Sequence, residues 1–183
     1  KKGITSFILK YRIPNGNPQV VLEDGRQAVE LVRSKAEEYG FNKLGIMGFS
    51  AGGHFVATQI TKFETPEQKA DFAVLVYPVT SMEYYNAGTG ESLLGDKLEA
   101  QKQEWTLSNF VREDMPYTTI IMCSDDKAVD VQQVKDFYNA AVEKKADIQL
   151  HFYPKGGHGF WMRDRFKYTS QVNNMLVAWI RSL

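Results

Sequence analysis

Leu44-Gly45-Ile46-Met47-Gly48-Phe49-Ser50-Ala51-Gly52-Gly53-His54-Phe55-Val56-Ala57-Thr58-Gln59-Ile60 is the stretch of this 183-residue chain from which its fold can be read. Leu44 to Met47 is a short apolar run of the buried-strand type, and Ala51 to Ile60 carries a helical pattern. Between them, Gly48-Phe49-Ser50-Ala51-Gly52 fits G-x-S-x-G, whose mechanics require a sharp strand-to-helix turn that pushes the serine out of the sheet. Glycines at 48 and 52 let strand and helix approach closely, and Gly53 adds room. By itself the pattern is also met by a plain strand-helix turn with a capping serine. The strand before it and the helix after it favour the exposed serine.

The same alternation runs outward in both directions. Upstream, Ile4 to Tyr11 is rich in β-branched and aromatic residues and predicts a strand, ended by the turn cluster Pro14-Asn15-Gly16-Asn17-Pro18. Asn17 can cap a helix with Pro18 at its first position, and Val21, Ala28, Val32, Ala36 and Tyr39 recur at helical spacing until Gly40. Downstream, Phe72 to Tyr77 is an apolar strand stopped by Pro78. From Thr80 to Met115 the period fails, which predicts an insertion at about 80–116 with one short helix. Thr118 to Cys123 is the next strand. Asp130 and Gln133 are placed as a capping box before a helix with Val134, Phe137, Tyr138, Ala141 and Val142 on one face. Ile148 to Tyr153 is a further strand, and Tyr168, Val172, Met175, Leu176, Trp179 and Leu183 mark a last helix. Strands alternating with helical crossovers imply an α/β chain: a mostly parallel sheet with helices on both faces, in one domain.

Charge is balanced at 22 Lys and Arg against 22 Asp and Glu, so no field draws nucleic acid, and no nucleic-acid partner is expected. The apolar runs are far too short to cross a bilayer, and no membrane partner is expected. Cys123 is the only cysteine, which excludes an internal disulfide and a thiolate metal site. The first ten residues lack the long apolar run of a signal peptide, and the compartment is left open.

In parallel sheets of this kind chemistry sits at the carboxyl ends of the strands, and Ser50, Asp126 and His158 each follow a predicted strand. A serine hydroxyl is a weak nucleophile until a base takes its proton. Of the three histidines, His158 lies in the loop Lys155-Gly156-Gly157-His158-Gly159-Phe160, which can present it to Ser50. His54 is fixed one turn into the helix and reads as a packing or hydrogen-bonding residue, and His151 lies inside a strand and reads as structural. The third member must be a carboxylate that holds the imidazole in one tautomer, lying between serine and histidine in the chain. Asp125 and Asp126 both qualify by place, and both also suit an ordinary polar loop. Asp126 is preferred because Asp-x-x-Val, completed by Val129, sets it at the loop apex, with Asp125 bracing the loop and Asp130 capping the next helix.

At these residues the chain resembles the α/β-hydrolase superfamily, and within it the acetylxylan-esterase and bacterial feruloyl-esterase-like serine esterases associated with xylan degradation. The likeness rests on Ile8 to Pro14, Met47 to His54, Tyr77-Pro78-Val79, Ser92-Leu93-Leu94-Gly95 and Gly156 to Phe160. The resemblance implies a carboxylesterase that hydrolyses acetyl or feruloyl esters, on plant polysaccharide such as xylan, through an acyl-enzyme on Ser50. It implies Ala51 N–H as one oxyanion donor and a second donor on a glycine-rich loop that this sequence does not contain. An N-terminally truncated hydrolase domain is therefore expected, lacking N-terminal strands, weak as a catalyst and open to self-association through exposed strand edges. A prolyl-oligopeptidase-like peptidase shares the triad order, a dienelactone-type hydrolase uses cysteine instead, and an inactive hydrolase fragment is the remaining alternative. Phe160 and Trp161, after the histidine, and Tyr84 and Tyr85 in the insertion are candidates to stack on a sugar or feruloyl ring, with core packing the competing role. Serine acyl chemistry needs no cofactor, and neither cofactor nor metal is expected. The resemblance also fits export to the periplasm or beyond.

Overall fold

The computed structural model describes residues 3–162 and 166–183. In chain order its elements are α1 (Gln19–Arg33), α2 (Ala36–Tyr39), β1 (Gly45–Phe49), α3 (Ala51–Thr61), β2 (Phe72–Val76), α4 (Thr89–Leu94), α5 (Leu98–Gln101), β3 (Tyr117–Cys123), α6 (Val131–Glu143), β4 (Ile148–Tyr153) and α7 (Thr169–Ser182). The four strands form one parallel sheet in the order β1-β2-β3-β4.

Side chains alternate across that sheet, as the period of two in a strand requires, and so build two cores. Ala73, Leu75, Ile120 and Met122 face one side with Phe55, Val56 and Ile60 of α3 and Val134, Phe137 and Ala141 of α6. Val74, Val76, Ile121 and Cys123 face the other with Val172, Leu176 and Trp179 of α7. The central strands β2 and β3 are buried almost throughout, whereas β1 and β4 are half-buried. No helix among the described residues is long and apolar enough to cross a membrane.

The predicted strand Ile4 to Tyr11 is not one. Its residues enter no ladder among the described residues, and Ile8 is 98% exposed. Strand-forming side chains favour a pleated surface only where a neighbouring strand pairs with it, and here the segment is held by side chains instead. Tyr11 stacks on Phe55 with ring centroids 4.6 Å apart, Phe7 meets Tyr39 edge-on at 5.1 Å, and Arg12 pairs with Asp24 and Glu23.

Four smaller expectations also change. The helix predicted to run on to Gly40 is broken into α1 and α2, because the Ser34 hydroxyl bonds the Leu31 carbonyl at 2.7 Å and competes with the helix ladder. Asn17 Oδ1 accepts from Gln19 N–H at 3.2 Å at its start. The 80–116 segment carries two short helices, α4 and α5, rather than one. At α6 the Asp130 side chain caps Gln132 N–H at 2.8 Å, but Gln133 does not reach back to complete a capping box. Its amide is spent on Thr80 N–H, Ser81 N–H and the Tyr85 carbonyl. Val142, placed on the buried face by its spacing, is 51% exposed.

Candidate active site

Ser50 stands between β1 and α3 with φ 54°, a left-handed conformation that a non-glycine residue holds only when its surroundings enforce it. The enforcement is visible. Ser50 N–H donates to the Val76 carbonyl at 3.0 Å, and the Ser50 carbonyl accepts from His54 N–H and Val79 N–H, each at 3.2 Å. Gly48 is required by contact: a Cβ there would lie 2.0 Å from the Gly52 carbonyl oxygen. Ala51 is the first residue of α3, where a backbone N–H has no acceptor within the helix, and it is exposed.

The loops after β3 and β4 meet at this serine. His158 Nε2 lies 2.7 Å from Ser50 Oγ, and His158 Nδ1 lies 2.8 Å from Asp126 Oδ2. The Asp126 side chain is fully buried, and its other oxygen accepts from Ala128 N–H at 2.9 Å and Val129 N–H at 3.0 Å. Asp125 turns the other way and accepts from Gly156 N–H at 3.0 Å and Gly157 N–H at 2.8 Å, tying the histidine loop to the carboxylate loop. The structure thus brings Ser50, Asp126 and His158 into one hydrogen-bonded line, with Ala51 beside it.

It does not bring Phe160 there. That ring is fully buried, packed edge-on to Tyr77 at 5.1 Å and against Phe166 at 4.5 Å. It is a core residue, drawn inward because the chain turns into a short 3-10 helix directly after Gly159. Trp161 keeps partial exposure, donates from its ring nitrogen to Asn173 at 2.9 Å, and tilts against Phe49 at 5.9 Å. Tyr84 donates to Asp136 at 2.6 Å, while Tyr85 is 68% exposed and its carbonyl accepts from Asp130 N–H at 3.1 Å.

The remaining histidines and the cysteine stand apart from this line. His54 is buried against Trp105, and neither ring nitrogen has a hydrogen-bond partner among the described residues. Burial pushes its pKa down to about 4, with Lys62 adding to the shift and the nearby Val79 backbone opposing it without reaching hydrogen-bond geometry. Burial also lowers His151 within β4. The Cys123 thiol is pushed up to about 12, chiefly by burial and further by Asp125 and Asp126. Among the described residues no cluster of three or more His, Cys, Asp or Glu could hold a metal ion. Tyr77, at the end of β2, gained no role from its sequence. The signal open to view was a bulky aromatic directly before a proline at a strand's carboxyl end.

Comparison with known proteins agrees with this architecture. Residues 1–141 match the model of the BD-FAE family. An acetylxylan esterase of Xylanibacter ruminicola is 33% identical over 195 aligned positions, which take in 100% of this chain and 40% of that protein. An endo-1,4-beta-xylanase B of Butyrivibrio fibrisolvens is 31% identical over 86% of this chain and 28% of its own length. This chain therefore spans well under half of each of these relatives. Among solved structures, an acetyl ester-xyloside bifunctional hydrolase of Caldicellulosiruptor lactoaceticus superposes with a TM-score of 0.88 at 28% identity. That match covers 99% of this chain and 72% of the solved one.

Proposed function

Since this chain belongs to the BD-FAE family, we propose that it is a serine carboxylesterase that removes acetyl groups from xylan-type polysaccharide through an acyl-enzyme on Ser50. Its fold is the α/β-hydrolase fold. The observation that carries the proposal is the line Ser50 Oγ, His158 Nε2, His158 Nδ1, Asp126 Oδ2, with contacts of 2.7 and 2.8 Å. The relatives named as an acetylxylan esterase and an acetyl ester-xyloside hydrolase favour acetyl over feruloyl as the acyl group.

The chemistry follows from the atoms. An ionised carboxylate only accepts, so the proton of the imidazole sits on Nδ1 facing Asp126, and Nε2 is left with a lone pair toward Ser50. As Oγ attacks the ester carbonyl, Nε2 takes the hydroxyl proton and the carbonyl oxygen becomes an oxyanion, which the Ala51 N–H at the start of α3 is placed to receive. Collapse expels the sugar alkoxide, protonated by His158. Water then loses a proton to Nε2 and attacks the acetyl-serine, acetate leaves, and Ser50 regains its proton. Asp126 stays ionised and stabilises the imidazolium formed in each half.

The deciding experiment is hydrolysis of p-nitrophenyl acetate and of acetylated xylan by this chain and by Ser50→Ala. The variant should lose at least about 10⁴-fold in kcat while retaining its melting temperature. Equal rates in the two proteins would overturn the proposal. Release of p-nitrophenol without release of acetate from xylan would retain the esterase and reject the substrate.

A further inference from the structure

We propose that Tyr77 is a positioning residue for His158, a role that rests on the assignment of Ser50 and His158 as nucleophile and base. The case begins with the backbone. Tyr77 has φ 38°, in the left-handed region that a bulky side chain avoids, and it precedes Pro78, which restricts it further. Non-glycine residues persist there only where the structure around them over-determines the turn.

Four contacts do so. Tyr77 N–H donates to the Ile121 carbonyl at 2.8 Å, and on either side of it Val76 and Val79 bond the two ends of the Ser50 peptide unit, its N–H and its carbonyl. Pro78 packs so closely over α3 that a Cβ on Gly53 would lie 2.6 Å from it. Residues 76–79 therefore clasp the backbone of the nucleophile turn, and the strained residue lies within the clasp.

The strain has a consequence for direction. Successive side chains of a strand point to opposite faces, so a regular continuation of β2 would send Tyr77 away from Val76. The left-handed turn cancels that alternation, and Tyr77 joins Val76 in the core on the α7 side. There its buried ring lies 4.8 Å from the His158 ring, tilted by 60°, and is itself backed by Phe160 at 5.1 Å and Phe49 at 5.9 Å.

The imidazole needs such a wall. Hydrogen bonds at Nδ1 and Nε2 fix the line through those two atoms, but leave the ring free to rock about it. A rigid aromatic face on one side stops that rocking, and loss of alignment at a base costs rate steeply.

Glycine separates the two functions of the position, because it accepts a positive φ without strain and has no ring. Tyr77→Gly, Tyr77→Phe and Ser50→Ala are compared with the unaltered protein by thermal unfolding, by kcat and KM on p-nitrophenyl acetate, and by ¹⁵N NMR of the His158 ring nitrogens. Tyr77→Phe, which keeps the ring, should lose far less kcat than Tyr77→Gly. Tyr77→Gly should lose on the order of 10- to 100-fold in kcat with KM little changed, and the signals of its His158 ring nitrogens should shift and broaden as the ring rocks between Asp126 and Ser50. If glycine prevents folding, Tyr77→Leu fills the same space without a flat face and carries the same expectation. Parent-like kcat and an unaltered imidazole spectrum in the folded ringless variant would overturn the proposal. Failure of the esterase assignment shows separately, as turnover unaffected by Ser50→Ala. The spectrum needs no turnover, so an unaltered one rejects the role of Tyr77 even then.

Discussion

His54 shows what a single buried titratable group does to the whole protein. It sits four residues after Ser50, inside the core, without a hydrogen-bond partner for its ring among the described residues, and burial holds its pKa near 4. In the unfolded chain an ordinary histidine titrates near 6.5. Folding therefore favours the neutral ring: the stability this provides is full above pH 6.5 and is lost as pH falls toward 4. Urea unfolding at pH 7 and pH 4 should show the parent losing about 3 kcal/mol more than His54→Leu over that interval. A parallel loss in both proteins would mean that other groups govern acid sensitivity. The candidate site was legible in the sequence wherever a group's place in the chain brought it to the carboxyl end of a strand. Ser50, Asp126 and His158 each follow a strand and meet in one hydrogen-bonded line, in the order that the proposed mechanism uses. The aromatic-proline pair at Tyr77 was in view, but its direction was not legible, because that comes from a backbone flip that composition and spacing do not encode.

At the scale of elements, Gln133 is the joint between α6 and the segment that follows β2. Its side-chain oxygen accepts from Thr80 N–H at 2.8 Å and Ser81 N–H at 3.1 Å, and its own carbonyl accepts from the Thr80 hydroxyl at 2.9 Å, all out of water. Gln133→Leu leaves both N–H groups buried and unpaired, at a cost of about 2–4 kcal/mol. The urea midpoint should fall accordingly with an unchanged m value, whereas an unchanged midpoint would show that this segment docks by packing alone. Elements with a long period were readable. The apolar runs of β2 and β3, the amphipathic faces of α6 and α7, and the glycine-serine turn each state their own structure. Ile4 to Tyr11 misled because a strand is a property of a pair, and no single segment carries its partner's half of the ladder. The helices α4 and α5 are six and four residues long, too short for a period of 3.6 to declare itself.

For the molecule as a whole, stability is concentrated in the middle of the sheet. Leu75, Val76, Ile120 and Ile121 are fully buried, while Ile8 and Ile13 are 98% and 68% exposed. Ile8→Lys should leave the melting temperature within a degree or two, since surface changes of this type stay within about 0.5 kcal/mol. A large fall would show that the first segment packs in solution in a way this structure does not display. The site uses the sheet differently from the core. Ser50 follows β1 and His158 follows β4, the two outer strands of the sheet among the described residues, and these strands lie roughly 14 Å apart at three strand spacings, so the loops after them cross the sheet's end to meet. On the proposed assignment the site is thus a bridge whose abutments are the two strands with one neighbour each among the described residues. Local opening at either margin, which costs less than global unfolding, dissolves the hydrogen-bonded line while the centre stays intact. On that assignment, turnover by this chain is for that reason a more sensitive gauge of marginal fraying than any spectroscopic signal averaged over the chain.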